Sequence, residues 1–443
     1  MSSDLLSIGA SGLRAYKTAL NTVGDNIANA QTVGYARRSA RLTEVSTGAG
    51  QSILYRNVDR FDGVEVQAID RATDRFRVGE ARLAATADGK AKAISGWMAI
   101  TETALADGDD GVGARLGAVF AGGAALAADP VARQPRTAFL SAIDAAAQAI
   151  RTSAGDLQRA TEGVGDAAQS SVAGLNGTLS TLADINLAIR HAGPGTATYV
   201  ELSDQRDALI DAVAGQLNID IVVATDGTTT LSSNGQMLLN GATATSITLT
   251  VASDGRLSLA AGAPLTPTGG TLSGLATTAA VIADRRAALD VLASDFASHI
   301  NQWQGAGRTP GGTAGTALLS AVGGAAGLVA LATDADAVAA GSAGGVPNGN
   351  ALDLATVRTT SDVEGQWNTM VGLQAQATAA ATSQRATTTA RLTTANAARD
   401  GVEGVDLDHE AVDLLRFQQA YEGSAKILQV ARDILDTIMG LFK

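Results

Sequence analysis

No cysteine occurs among the 443 residues, which excludes disulfides, thiolate metal sites and a cysteine nucleophile. Aromatic residues make up only 3% of the chain, so its helices must pack through small side chains, and the 50 glycines and abundant Ala, Ser and Thr suit long bundles with light cores. The three histidines, His191, His299 and His409, lie in separate segments without metal-ligand spacing and read as surface or capping residues. No phosphate loop, dinucleotide fingerprint or nucleophile elbow appears, so no catalytic residue, metal or cofactor is expected. No apolar run is long enough to span a bilayer. Basic charge is also in deficit: a formal net charge of −12 argues against a nucleic-acid surface or a polybasic membrane patch.

What the chain does have is periodicity at both ends. Leu6, Gly9, Leu13, Tyr16, Leu20, Val23, Ile27 and Ala30 follow the alternating three-and-four spacing of a supercoiling helix. Leu407, Leu414, Tyr421, Leu428, Leu435 and Phe442 recur every seven residues, with Phe417, Ala431 and Ile438 three further on. Neither stripe can be buried alone. The two helices are therefore either ordinary core helices that happen to be terminal or partners in a stalk used for assembly.

Between them the pattern predicts nested segments. The first helix should stop near Asn29 and Gly34, followed by an extended stretch with Arg37, Arg38 and Arg41, a short strand from Gly63 and a charged helix from about Asp70. Residues 70 to 190 read as helices broken at Asp107 to Gly111 and at Asp129-Pro130. Alternation from Ile219, with turn signals at Asp226-Gly227, Asn234-Gly235 and Asp254-Gly255, predicts a β-rich module. Helix should return from about Thr277 to Trp303 and from Val363 to Arg399, with residues 321–350 irregular or loosely packed. The expected fold is mainly α with a small β-rich module. It has three nested parts: residues 1–45 with 400–443 as a terminal coiled coil, 46–215 with 276–399 as a helical bundle, and 216–275 as a β-rich outer insert.

Two acidic clusters invite a chemical reading. Asp107, Asp109 and Asp110 suggest a calcium loop, but Gly111 stands at the fifth position and no glutamate at the twelfth, so a solvated turn is expected. Asp406, Asp408, Glu410 and Asp413 precede or open the last helix, where negative charge near a helix N-terminus accounts for them without catalysis.

The residues from Asp25 to Tyr35, Asp-Asn-Ile-Ala-Asn-Ala-Gln-Thr-Val-Gly-Tyr, resemble the N-terminal signature of bacterial flagellar rod, hook and hook-associated proteins. The stretch Gly404 to Glu410, followed by Leu415-Arg416-Phe417-Gln418-Gln419-Ala420-Tyr421, is similar to their C-terminal signature. The motif residues are Asn26, Ala28, Asn29, Thr32, Gly34, Tyr35, Phe417, Gln418, Gln419 and Ala420. Within that class, Phe417 to Tyr421, Gly63 to Arg71 with Asp74, Leu202 to Leu209, and His299-Ile300-Asn301 resemble the family of hook-associated protein 1 (FlgK). The chain carries Val33 and Ala36 where the family usually has Pro and Ser.

The resemblance implies a structural protein, not an enzyme, at the junction between hook and filament in the extracellular flagellum. Its implied partners are copies of itself in a ring, the hook protein, the second junction protein on the filament side, and an export chaperone on its C-terminal region. It implies no nucleic acid and no membrane partner. It also implies export in an unfolded state through the flagellar type III channel, with which the start Met1 to Leu6, lacking a basic leader before an apolar run, is consistent. The assembly residues expected on these grounds are Leu6, Leu13, Leu20 and Ile27 against Leu414, Tyr421, Leu428 and Leu435. A hook or distal-rod protein, and a flagellum-associated peptidoglycan hydrolase, are the alternatives.

Overall fold

The computed structural model describes residues 2–32, 34–46 and 61–441. Long helices dominate: α1 (Ser2–Asn29), α2 (Arg75–Ala104), α3 (Val112–Ala128), α4 (Arg133–Ala192), α5 (Ala197–Gln216), α6 (Gly270–Ala306), α7 (Gly349–Ser361), α8 (Val363–Glu403) and α9 (Leu407–Leu441). The strands form small antiparallel sheets. β1 (Arg38–Ser46) pairs with β2 (Phe61–Arg71), while β3 (Asp220–Val223), β4 (Thr229–Ser233), β5 (Gln236–Asn240) and β6 (Thr243–Ala244) form a meander. A second meander contains β7 (Thr248–Val251), β8 (Leu257–Ala261) and β9 (Ala263–Leu265), and β10 (Leu319–Ser320) pairs with β11 (Val329–Ala330). Among the described residues, no helix is long and apolar enough to cross a membrane.

The chain divides into two compact units: Met1–Thr86, Leu175–Ser246 and Thr389–Lys443 make one, and Ala87–Gly174 with Ile247–Thr388 the other. The stretch read from sequence as one β-rich module thus contains two sheets, divided between Ser246 and Ile247.

In the second unit, Leu116, Phe139, Ile143, Ile150, Phe296, Ile300, Trp303, Leu328, Val338 and Trp367 form one buried cluster. Phe139 and Trp303 meet edge to face with ring centroids 5.4 Å apart, a geometry aromatic pairs favour. Elsewhere the packing is by small residues. A Cβ on Gly274 of α6 would lie 2.6 Å from the Lys90 carbonyl and 2.8 Å from Cβ of Ala93, so glycine is what lets α6 approach α2. Residues 321–350 hold little regular structure apart from β11; Ala325, Leu328, Ala335, Val338, Ala339 and Ala340 are buried, while Val322, Leu331 and Val346 are exposed.

Element boundaries depart from the sequence reading in both directions. β2 continues to Arg71 because its end stays paired with β1, Asp70 opposite Ser39 and Arg71 opposite Arg38, so α2 starts at Arg75 rather than Asp70. α6 starts at Gly270 rather than near Thr277, since Leu272, Leu275 and Ile282 already occupy its buried face. Pro130 lies just after α3, where the missing N–H ends helical bonding.

In the first unit, Asn186 of α4 holds the β3–β6 meander. Its Nδ2 donates to the carbonyls of Thr229 and Gly241, both at 2.8 Å, and its Oδ1 accepts from the Thr229 N–H at 2.9 Å.

A candidate assembly site in the terminal helices

α1 runs antiparallel to α9. Gly9 lies against Leu428, Gly12 against Ser424, Tyr16 beside Phe417 with centroids 6.5 Å apart, and Asn26 bonds to Glu410. The approach is close because the facing residues are small: a Cβ on Gly9 would sit 2.7 Å from Cγ of Leu428, and one on Gly12 2.5 Å from Oγ of Ser424. α1 is also held from a second side by the β1–β2 ribbon, where Ser11 Oγ accepts the Val64 N–H at 3.2 Å.

This arrangement changes which residues are buried. The buried positions of α1 are Gly9, Ser11, Gly12, Ala15, Ala19, Thr22, Val23 and Asn26; those of α9 are Glu410, Ser424 and Ala431. The aliphatic row expected at the interface is less covered. Leu6, Leu13, Leu20, Leu414, Leu428 and Leu435 are half-buried, and Ile27 and Tyr421 are exposed. Phe442 and Val33 lie outside the described residues. Along α9, Leu407, Val412, Leu415, Ile427, Val430, Ile434, Ile438 and Met439 also stay exposed.

The two signature motifs meet at Asn26, which is 1% exposed. Its Nδ2 donates to the Arg38 carbonyl (2.8 Å) and to Oε2 of Glu410 (3.0 Å). Its Oδ1 accepts from the Arg38 N–H (3.0 Å) and the Tyr35 hydroxyl (2.9 Å). Burial pushes the Tyr35 phenol up to about 12, and Asp25, Asp204 and Glu410 push the same way against Arg38. Between these residues the chain turns: the Thr32 hydroxyl donates to Oδ1 of Asn29 at 3.2 Å, and Gly34 adopts φ +82°. Ala28, Gln418 and Gln419 are exposed, while Ala420 accepts the Ser424 hydroxyl on its carbonyl at 2.9 Å.

Glu410 is the residue the sequence reading misplaced. Helix-end charge explains Asp406, whose Oδ1 accepts the Asp408 N–H at 3.0 Å. Glu410 is instead 2% exposed and turned toward α1. Its spacing of seven from Phe417, which puts it on the buried row, was the available signal.

A second cluster ties α5 to β1, β2, α2 and α8. Asp204, Asp207 and Asp211 of α5 bind Arg38 of β1, Arg71 of β2, and Arg82 of α2, and Arg399 of α8 also reaches Asp211. The distances are 2.6 Å for Arg38–Asp204, Arg71–Asp204 and Arg82–Asp211, and 2.8 Å for Arg399–Asp211. Burial raises the Asp207 carboxyl, but the guanidinium groups of Arg206, Arg71 and Arg82 outweigh it and hold the group below the usual carboxylate range. Burial pushes Glu403 the other way, upward, with Arg399 and Arg71 opposing and Asp207 and Asp211 adding to it. In the sequence, Leu202 to Leu209 stands out only by its resemblance to the family; Arg38, Arg71, Arg82 and Arg399 lie far away along the chain and carry no local signal. Among the described residues, no group of three His, Cys, Asp or Glu side chains could hold a metal ion.

Family models match three stretches of the chain. Residues 98–319 match the family model described as flagellar hook-associated protein FlgK helical domain. Residues 6–35 match flagella basal body rod protein, and residues 402–441 match the C-terminal model of flagellar basal body rod FlgEFG proteins. Flagellar hook-associated protein 1 of Salmonella typhimurium is 30% identical over 248 residues, covering 55% of this chain and 43% of that protein. The Escherichia coli protein of the same name is 27% identical, over 55% of this chain and 44% of its own length. The chain thus matches less than half the length of these curated relatives. The structure of the flagellar hook junction protein FlgK from Burkholderia pseudomallei shares the fold, with a TM-score of 0.50 at 21% identity over 54% of this chain and 46% of that one.

Proposed function

The chain belongs to the FlgK family of flagellar hook-associated proteins, and we propose that it is a structural subunit of the junction between hook and filament, polymerising through α1 and α9. The observation that carries this reading is the unpartnered aliphatic surface of α9 and the half-buried leucine row of α1, in a domain whose internal seam is filled by small residues. Contiguous exposed apolar surface of this kind marks a protein contact. Copies of the chain, the hook protein and a second junction protein are the partners. In the polymer the terminal helices wind as coiled coils, and residues 1–45 with 400–443 act as the assembly domain.

Before assembly the same surface needs cover. Export proceeds unfolded through the flagellar channel, with a chaperone on the C-terminal region. A truncation ending near Arg399 loses chaperone binding; retained binding would place the chaperone elsewhere.

The direct test is Leu20→Asp with Leu428→Asp. Each change sets a carboxylate in an apolar contact, which costs a few kcal/mol. Incorporation into hook-basal bodies is expected to fall more than about tenfold, with the second unit still folded by limited proteolysis. Normal incorporation would reject polymerisation through these helices. The terminal matches to rod proteins keep a hook or rod role as the second reading.

A further inference from the structure

We infer that the Asn26–Glu410 pair is a register key, which selects one alignment of α1 against α9 out of several that the small-residue seam would accept. The row of α9 that faces α1 contains Glu410, Phe417, Ser424 and Ala431, one residue every heptad. Opposite Ser424 and Leu428 stand glycines. Glycine, serine and alanine offer little shape to resist sliding by one heptad, a slip that keeps the apolar stripes superposed.

The polar pair does not permit the slip. In the observed register all four hydrogen-bonding positions of the Asn26 amide are used, by the Arg38 backbone, Tyr35 and Glu410. A shift of seven residues in one direction brings Phe417 to Asn26, leaving an amide N–H without an acceptor. The carboxylate of Glu410 is moved off its donor in either direction. A buried group left unpaired disfavours an alignment by about tenfold or more. A polar pair within an apolar seam thereby trades stability for a single alignment. The aromatic contact of Tyr16 with Phe417 is the competing source of register, and the experiment separates the two.

This inference rests on the pairing of α1 with α9, which the proposed assembly role also uses, but it concerns alignment within one chain and is measured without any polymer. The absence of native cysteine allows disulfide trapping in the full chain. Gly12→Cys with Ser424→Cys reports the observed register, and Gly12→Cys with Ala431→Cys reports the one-heptad slip. Intramolecular closure is read on non-reducing gels at dilution.

With Asn26 and Glu410 intact, only the first pair should close. Adding Asn26→Leu with Glu410→Leu should raise closure of the slipped pair by about tenfold, with helicity unchanged by circular dichroism. Glu410→Gln with Asn26 intact, which can still accept from Asn26, should keep the single register. The inference is overturned if the slipped pair closes with the key intact, if the leucine variant keeps the observed register alone, or if both pairs fail to close in that variant. Normal incorporation of the Leu20→Asp, Leu428→Asp protein, with the register kept, would count against the assembly role and leave the key standing.

Discussion

Asp207 and Glu403 face some of the same charged groups and respond to pH with opposite sign. The arginines depress the Asp207 carboxyl relative to an unfolded chain, so its contribution to stability is full above the unfolded value of about 4 and is lost as pH falls through the depressed folded value. Glu403 is raised, so its contribution is full below the unfolded value and is lost as pH rises through the folded one. Thermal melts should show Asp207→Asn destabilised by about 3 kcal/mol at pH 7, with less acid sensitivity than the parent. Glu403→Gln should be as stable as the parent near pH 4 and more stable at pH 7. A Glu403→Gln protein that melts lower at pH 7 would show that its contact with Arg399 outweighs its burial.

At the scale of elements, periodicity carried far because the long helices bury one face along most of their length. α3 and α4 start and stop close to the acidic turn and the Asp129-Pro130 break that mark them in sequence. Short elements were less legible. α7 lies beside a low-complexity stretch whose alanines show no amphipathic contrast, and it was not foreseen. The two meanders were read as one module because both repeat the Asp-Gly turn, at Asp226-Gly227 and Asp254-Gly255, and a sequence does not say which helix each turn meets. The β3–β6 meander depends on Asn186, whose amide serves three backbone groups. Asn186→Ala leaves those groups without their partner and should cost about 3 kcal/mol, read as an earlier urea transition. A change below about 0.5 kcal/mol, the ordinary range for surface substitutions, would mean that water replaces the side chain.

For the whole molecule, the class was legible and the inside of the terminal site only partly so. The motifs at Asp25 to Tyr35 and Gly404 to Tyr421 marked the flagellar rod, hook and hook-associated class because they are local in sequence. Their meeting at Asn26 and Glu410 spans nearly the full chain, and charge near a helix start gave Glu410 a sufficient explanation that concealed the contact. The leucine heptads run along α1 and α9, while glycine, alanine and serine occupy the seam between them. That division of labour, small residues within the subunit and aliphatic residues left outward, is the basis of the assembly role proposed for the chain. The most direct measurement is deletion of the gene in its own host, with electron microscopy of the cells and an assay of the medium for flagellin. The account predicts hooks without filaments and flagellin shed into the medium, whereas normal filaments or the absence of hooks would contradict it.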